Sequence, residues 1–142
     1  MQKEDCGMLI KQINDQLEKD ANNDMRAQDL TLIQASILLQ LENCEQETAS
    51  MKEIEKFLGV AQPTAVGIVQ RMELKKLVTS FTSSEDKRIK LVHLSTEGKQ
   101  KAGFARKQMA MTEARITSSL NEEEQAQFAQ YLHRVRDSLK TR

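Results

Sequence analysis

At 142 residues the chain has the length of one domain, and 39% apolar, 30% charged and 4% aromatic side chains, without Trp, suit a long-helix protein better than a β-sandwich. Its net charge is zero, which argues against a nucleic-acid partner only on the total: residues 1–51 carry 4 basic and 10 acidic side chains, residues 52–90 carry 8 and 5, and residues 91–142 carry 9 and 6. No apolar run approaches the roughly 20 residues of a membrane span, and the polar, acidic start has no secretion-signal pattern.

Leu9, Ile13 and Leu17 recur four apart, which predicts a helix over 8–19, broken by the turn-prone Asn22, Asn23 and Asp24. Thr31 is a cap for a second helix through the apolar LTLIQASILLQL, with Ile33, Ile37, Leu38 and Leu41 inward. The polar NCEQETAS that follows reads as a fading connection. Ser50 and Glu53 form a capping box for a short helix with Ile54, Phe57 and Leu58 buried, and Gly59 ends it. Pro63 fits the first turn of the next helix, where a missing N–H costs nothing. Ala65, Ile68, Val69 and Met72 are that helix's buried face, to about Lys76.

Short extended runs follow. Residues 77–81 and 89–94 predict a hairpin around the polar turn 83–88, with Ile89 and Leu91 inward and Val92 a further candidate. Ser95 or Thr96 caps a helix whose stripe is Ala105, Met109, Thr112, Ile116 and Leu120. Asn121 caps the last helix, with Glu122, Glu123 and Glu124 in the first turn and Phe128, Leu132, Val135 and Leu139 on one face. The expected fold class is mainly α with a small β-hairpin wing.

A short helix, a Gly-containing turn, a second helix and a hairpin with a charged tip make a winged helix-turn-helix, whose second helix enters the DNA major groove. The core stripe leaves Gln62, Pro63, Val66, Gly67 and Gln70 on the opposite face. Gln can bond adenine through both donor and acceptor, and Val66 can touch a thymine methyl. Gly67 costs the helix about 1 kcal/mol relative to Ala; close approach to DNA or another helix would account for it, and so would drift.

The stretch from Leu30 to Gly98 resembles the MarR family of bacterial transcription regulators, in LTLIQASILLQL, in MKEIEKFLGVAQPTAVGIVQRMELKKLV and most specifically in SEDKRIKLVHLSTEG. The resemblance implies a single domain over 1–142, with a DNA-binding lobe at 30–95 and dimerisation helices at 1–29 and 96–142. It also implies that Asp86 orients Arg88 toward a minor groove, whose negative potential attracts arginine. Ser50, Thr64, Arg71 and Lys87 would contact phosphates, fixing register rather than sequence. The chain departs from the family at Val66 and Gly67, where many relatives carry a hydroxyl or basic residue, and at Ala61, which cannot cap.

Two cysteines, Cys6 and Cys44, with neither a disulfide framework nor zinc spacing predict a reducing cytoplasm. The resemblance implies a homodimeric regulator, a repressor, on double-stranded DNA with a pseudo-palindromic operator, released by a small aromatic or phenolic ligand. No cofactor, metal or membrane partner is expected. Two other readings are carried beside it: a thiol-based redox sensor using Cys6, and a winged helix that binds protein and not DNA. Cys6 has the acidic neighbours Glu4 and Asp5, the wrong charge for lowering a thiol pKa. His93 and His133 are expected on solvated faces. An enzyme is excluded by inventory, since there is no Gly-rich phosphate loop, no metal-spaced cluster and no Ser-His-Asp order.

Overall fold

The computed structural model describes residues 5–141, which gather into two compact units, one ending at Gln108 and the other beginning at Met109. Asp5 opens helix α1 (Cys6–Arg26) by accepting the Met8 amide at 2.8 Å. The expected break at Asn22-Asn23-Asp24 does not occur. One further turn carries Met25 into the core, and this burial outweighs the weak turn preference of three exposed-type residues. The chain reverses instead around Asp29, which takes a left-handed φ of 56°.

Helix α2 (Leu32–Glu42) begins at Thr31 in a reciprocal capping box. The Gln34 amide donates to the Thr31 hydroxyl at 3.1 Å, and the Thr31 amide donates to Gln34 Oε1 at 3.2 Å. Ile37, Leu38 and Leu41 are buried as expected, but Ile33 is exposed, because Gln34 occupies the inward arc beside them. The polar stretch after α2 is not a plain connection. A short 3-10 turn at Glu45–Glu47 leads into strand β1 (Thr48–Ser50).

In α3 (Met51–Leu58), Ser50 accepts the Glu53 amide at 3.1 Å and Gly59 ends the helix at φ 67°. Glu53 does not reach back to the Ser50 amide; it accepts from the Ser50 hydroxyl at 3.2 Å, so the capping box is half made. Met51 and Ile54 are buried and Leu58 is half-buried, leaving the expected core residue Phe57 at 46% exposure on the edge of the stripe. Helix α4 (Gln62–Leu74) buries Ala65, Ile68, Val69 and Met72, the four residues its spacing selects.

Strands β2 (Val78–Thr82) and β3 (Lys90–Leu94) form the hairpin, in register Val78↔Leu94 and Phe81↔Leu91. β1 pairs on the far edge of β3, giving an antiparallel order β1-β3-β2. The inward phase of β3 is one residue off the main expectation: Val92 and Leu94 are buried, Leu91 is half-buried and Ile89 is exposed. Because side chains alternate with period 2, a shift of one exchanges the faces.

Of the two cap candidates for α5 (Thr96–Ile116), Ser95 serves: its hydroxyl accepts the Gly98 amide at 2.9 Å and lies within hydrogen-bond distance of the Lys76 and Leu77 carbonyls. A Cβ at Gly98 would stand 2.1 Å from the Leu77 carbonyl oxygen, so only glycine lets α5 start this close to the hairpin. Ala102 and Ala105 are buried, whereas Met109 is exposed. In the second unit, Asn121 and Glu124 cap α6 (Glu122–Lys140) reciprocally, with both bonds at 2.9 Å. Leu132, Val135 and Leu139 are exposed there, as are Leu9, Ile10 and Ile13 on α1 in the first unit.

Candidate nucleic-acid interface

Helix α4 begins without help from its neighbour. Ala61 makes no side-chain cap, as its methyl dictates, and Pro63 in the first turn removes one amide that would lack a partner. With the apolar stripe turned to the core, Gln62, Pro63, Thr64, Gln70 and Arg71 are exposed and Val66 and Gly67 are half-exposed. Among the described residues, no side-chain hydrogen bond or ion pair engages Gln62, Thr64, Gln70, Arg71 or Lys87. Their donors and acceptors are therefore available to an outside partner. Val66 also packs against the core, so it presents only part of its surface.

Gly67 is open. A Cβ built there meets no atom within 4 Å, so nothing inside the chain requires the glycine. On the same outward side lies Leu74, 83% exposed, which the sequence reading did not single out. It stands seven residues after Gly67 and four after Gln70, a helical spacing from which its position could have been read.

The wing tip is built by its own short-range bonds. The Ser83 hydroxyl accepts from the amides of Glu85 and Asp86 at 3.2 and 3.4 Å, and the Ile89 amide donates to the Asp86 carbonyl at 3.0 Å. The Asp86 carboxylate then takes three bonds from Arg88: Nε and Nη2 at 3.1 Å each and the backbone amide at 3.0 Å. The guanidinium fork and the carboxylate match in two parallel bonds, which fixes orientation as well as distance. Arg88 holds the Asp86 carboxyl below its ordinary value, first through the side-chain bonds and then through the backbone one, and Asp86 raises Arg88 in return. Both groups face water, so the pair orients more than it stabilises. The Arg88 side chain is 90% exposed, and its charge projects from the tip.

Two ties hold α4 to the base of the wing. Ser80 on β2 donates to the Glu73 carboxylate, and the Leu77 amide donates to the Met72 carbonyl at 3.0 Å. Ser50 is placed differently from the other expected contacts, since its hydroxyl proton is already given to Glu53. His93, expected to be solvated, is half-buried with Nδ1 2.9 Å from the Thr48 hydroxyl, because β1 covers that edge of β3. Cys44 is partly sheltered; burial and then the nearby Glu53 carboxylate push its thiol pKa up, which disfavours the reactive thiolate. Cys6 is exposed at the first turn of α1. Among the described residues no His, Cys, Asp and Glu cluster could hold a metal, and no helix is long and apolar enough to cross a membrane.

Comparison with known proteins points one way. The sequence model of the MarR family matches residues 28–89. A point mutant of MepR from Staphylococcus aureus is similar in structure, with a TM-score of 0.85 and 25% identity, over 96% of this chain and 99% of that one. MepR in a DNA complex gives a TM-score of 0.80 at 24% identity over the same shares. AbsC, a MarR family transcriptional regulator from Streptomyces coelicolor, aligns over the whole of both chains with a TM-score of 0.78 and 16% identity. No curated protein matches the chain in sequence.

Proposed function

We propose that this chain, which belongs to the MarR family, is a DNA-binding transcription regulator that reads double-stranded DNA with α4 and steadies itself with the wing. It is not an enzyme. The observation that carries the reading is the pairing of an uncommitted polar helix face with a projecting Arg88 whose direction Asp86 fixes. Gln62 and Gln70 read base edges, with Pro63, Val66 and Gly67 lying close against the groove. Thr64, Arg71 and Lys87 meet phosphates, and Arg88 enters the minor groove. Ser50 joins them only by giving up its bond to Glu53.

The finer reading is a cytoplasmic homodimeric repressor, with one domain made of a DNA lobe at 30–95 and dimerisation helices at 1–29 and 96–142. Exposed Leu9, Ile10 and Ile13 on α1, and Leu132, Val135 and Leu139 on α6, support it: apolar rows of this kind are covered when two chains pair. Two recognition helices related by a two-fold axis require a pseudo-palindromic operator. A small aromatic or phenolic anion, bound between the dimerisation helices and the DNA lobe, changes their spacing and releases the operator.

Selection of bound duplexes from a random pool tests the whole reading. The expected result is a two-fold symmetric consensus bound with steep salt dependence. A salt-insensitive, sequence-blind protein would instead be a protein-interaction module. A thermal-shift screen of small aromatic acids tests the ligand, and a flat response across the panel with DNA binding intact counts against it.

A further inference from the structure

The turn between α1 and α2 receives two ammonium groups from distant parts of the sequence. Lys75, the residue that ends α4, donates to the Asp29 carbonyl at 2.7 Å and to Gln34 Oε1 at 2.9 Å, with the Asp29 carboxylate 3.6 Å from its nitrogen. Lys101 on α5 donates to the Gln28 carbonyl at 2.9 Å and to the Gln28 side-chain oxygen at 3.1 Å. Gln34 is the one buried polar side chain among the described residues, and its oxygen serves the Thr31 amide as well as Lys75. One buried acceptor thus joins the start of α2 to the end of α4.

We propose that Lys75 is a positioning residue for the recognition helix, holding the C-terminal end of α4 against the α1–α2 turn through Gln34 and the Asp29 carbonyl. This rests on the DNA-binding reading of α4. The opposite end of α4 has no side-chain cap, so this end is where polar bonds fix the helix: Lys75 on one flank and the Ser80–Glu73 bond on the other. The Lys75 ammonium is spent inward on three oxygens, and its side chain is 29% exposed, so it does not serve as a phosphate contact. Lys101 grips the neighbouring carbonyl of the same turn, so α5 and the end of α4 are bonded to adjacent residues, Gln28 and Asp29.

Lys75→Met keeps the aliphatic stem and removes the donors. Gln34 retains the Thr31 amide and Asp29 is an exposed residue open to water, so no buried group is stranded and the variant folds. The full chain is titrated, at several salt concentrations, with a duplex that the wild type enriches from a random pool. Affinity falls roughly tenfold, less than the two lost charge-assisted hydrogen bonds are worth in place because they act on DNA only through the position of α4, while the slope of log affinity against log salt stays that of the wild type. Lys75→Arg, which can still donate to both oxygens, restores most of the affinity. Amide exchange quickens at residues 71–77 of Lys75→Met and is unchanged in the middle of α2.

A slope shallower by about 0.9 identifies a direct phosphate contact and overturns the proposal. So does unchanged affinity with a lowered melting temperature, which marks a merely stabilising lysine. If the wild type enriches no duplex, the DNA reading fails separately, and equal exchange rates at 71–77 in both proteins overturn the anchor on their own.

Discussion

Gly67 sits in the middle of α4 on the side turned away from the core, and a methyl there would touch nothing within 4 Å. Removing the extra backbone freedom of glycine in a helix interior is worth about 1 kcal/mol. With no clash to set against it, Gly67→Ala therefore stabilises the protein by about that amount. For a chain of this size the gain raises the melting temperature by about 4 °C. Gly67→Glu keeps roughly half of the gain, since glutamate is a good helix former. It also places a carboxylate where the phosphate-lined groove is expected, and operator affinity drops by at least about tenfold through like-charge repulsion. Thermal unfolding followed by circular dichroism, paired with fluorescence-anisotropy titration of an enriched duplex, reads both effects on the same samples. Destabilisation by alanine would refute the open-face geometry. Wild-type affinity of Gly67→Glu would remove this face from the interface, however stable the variant.

Arg88→Ala weakens operator binding without loss of helix content, and a gel-shift titration with unchanged affinity takes Arg88 out of the site. The Asp86 carboxyl titrates below its ordinary range in the folded chain, so the wing pair is intact above that range and is lost only as pH falls through the lowered value; carbon-detected NMR titration should show its midpoint move upward in Arg88→Ala. Gly98→Ala costs more than about 3 kcal/mol in urea unfolding, because its methyl meets the Leu77 carbonyl backbone at 2.1 Å and neither α5 nor β2 can yield cheaply; a loss below about 1 kcal/mol would show that they can. Leu132→Glu puts a charge on the uncovered α6 face and yields monomers by sedimentation equilibrium, whereas a retained dimer moves the interface elsewhere.

Wherever one local rule governed an element, the sequence sufficed to read it. Thr31, Ser50 and Asn121 cap the helices they precede, Gly59 ends α3, and the 0, 3, 4, 7 spacing from Ala65 to Met72 gives the buried side of α4, hence also its outward side. The Asp86–Arg88 fork is equally local, since two residues of separation and a tight turn bring the groups together. The misreadings share a cause, namely contacts made across long stretches of chain. β1 is a strand only because β3 offers its edge to three residues whose own pattern is too short to show alternation. The phase of β3 follows from Val92 and Leu94 facing the core, which Ile89 and Leu91 match equally well in hydrophobicity. The continuation of α1 to Arg26 depends on a place for Met25, and the exposure of Phe57 on there being none.

By itself, then, the amino-acid order determined which segments are long helices, which residues cap α2, α3 and α6, and which side of α4 is free, because caps and periodicity act within one or two turns of chain. Only the tertiary structure decided the third strand, the inward side of the hairpin, the glycine-tight start of α5 at Gly98 and the junction at which Lys75 and Lys101 meet one turn. Those features are bonds between residues up to 73 positions apart, and a pattern confined to neighbours carries no information about which distant groups folding will bring together.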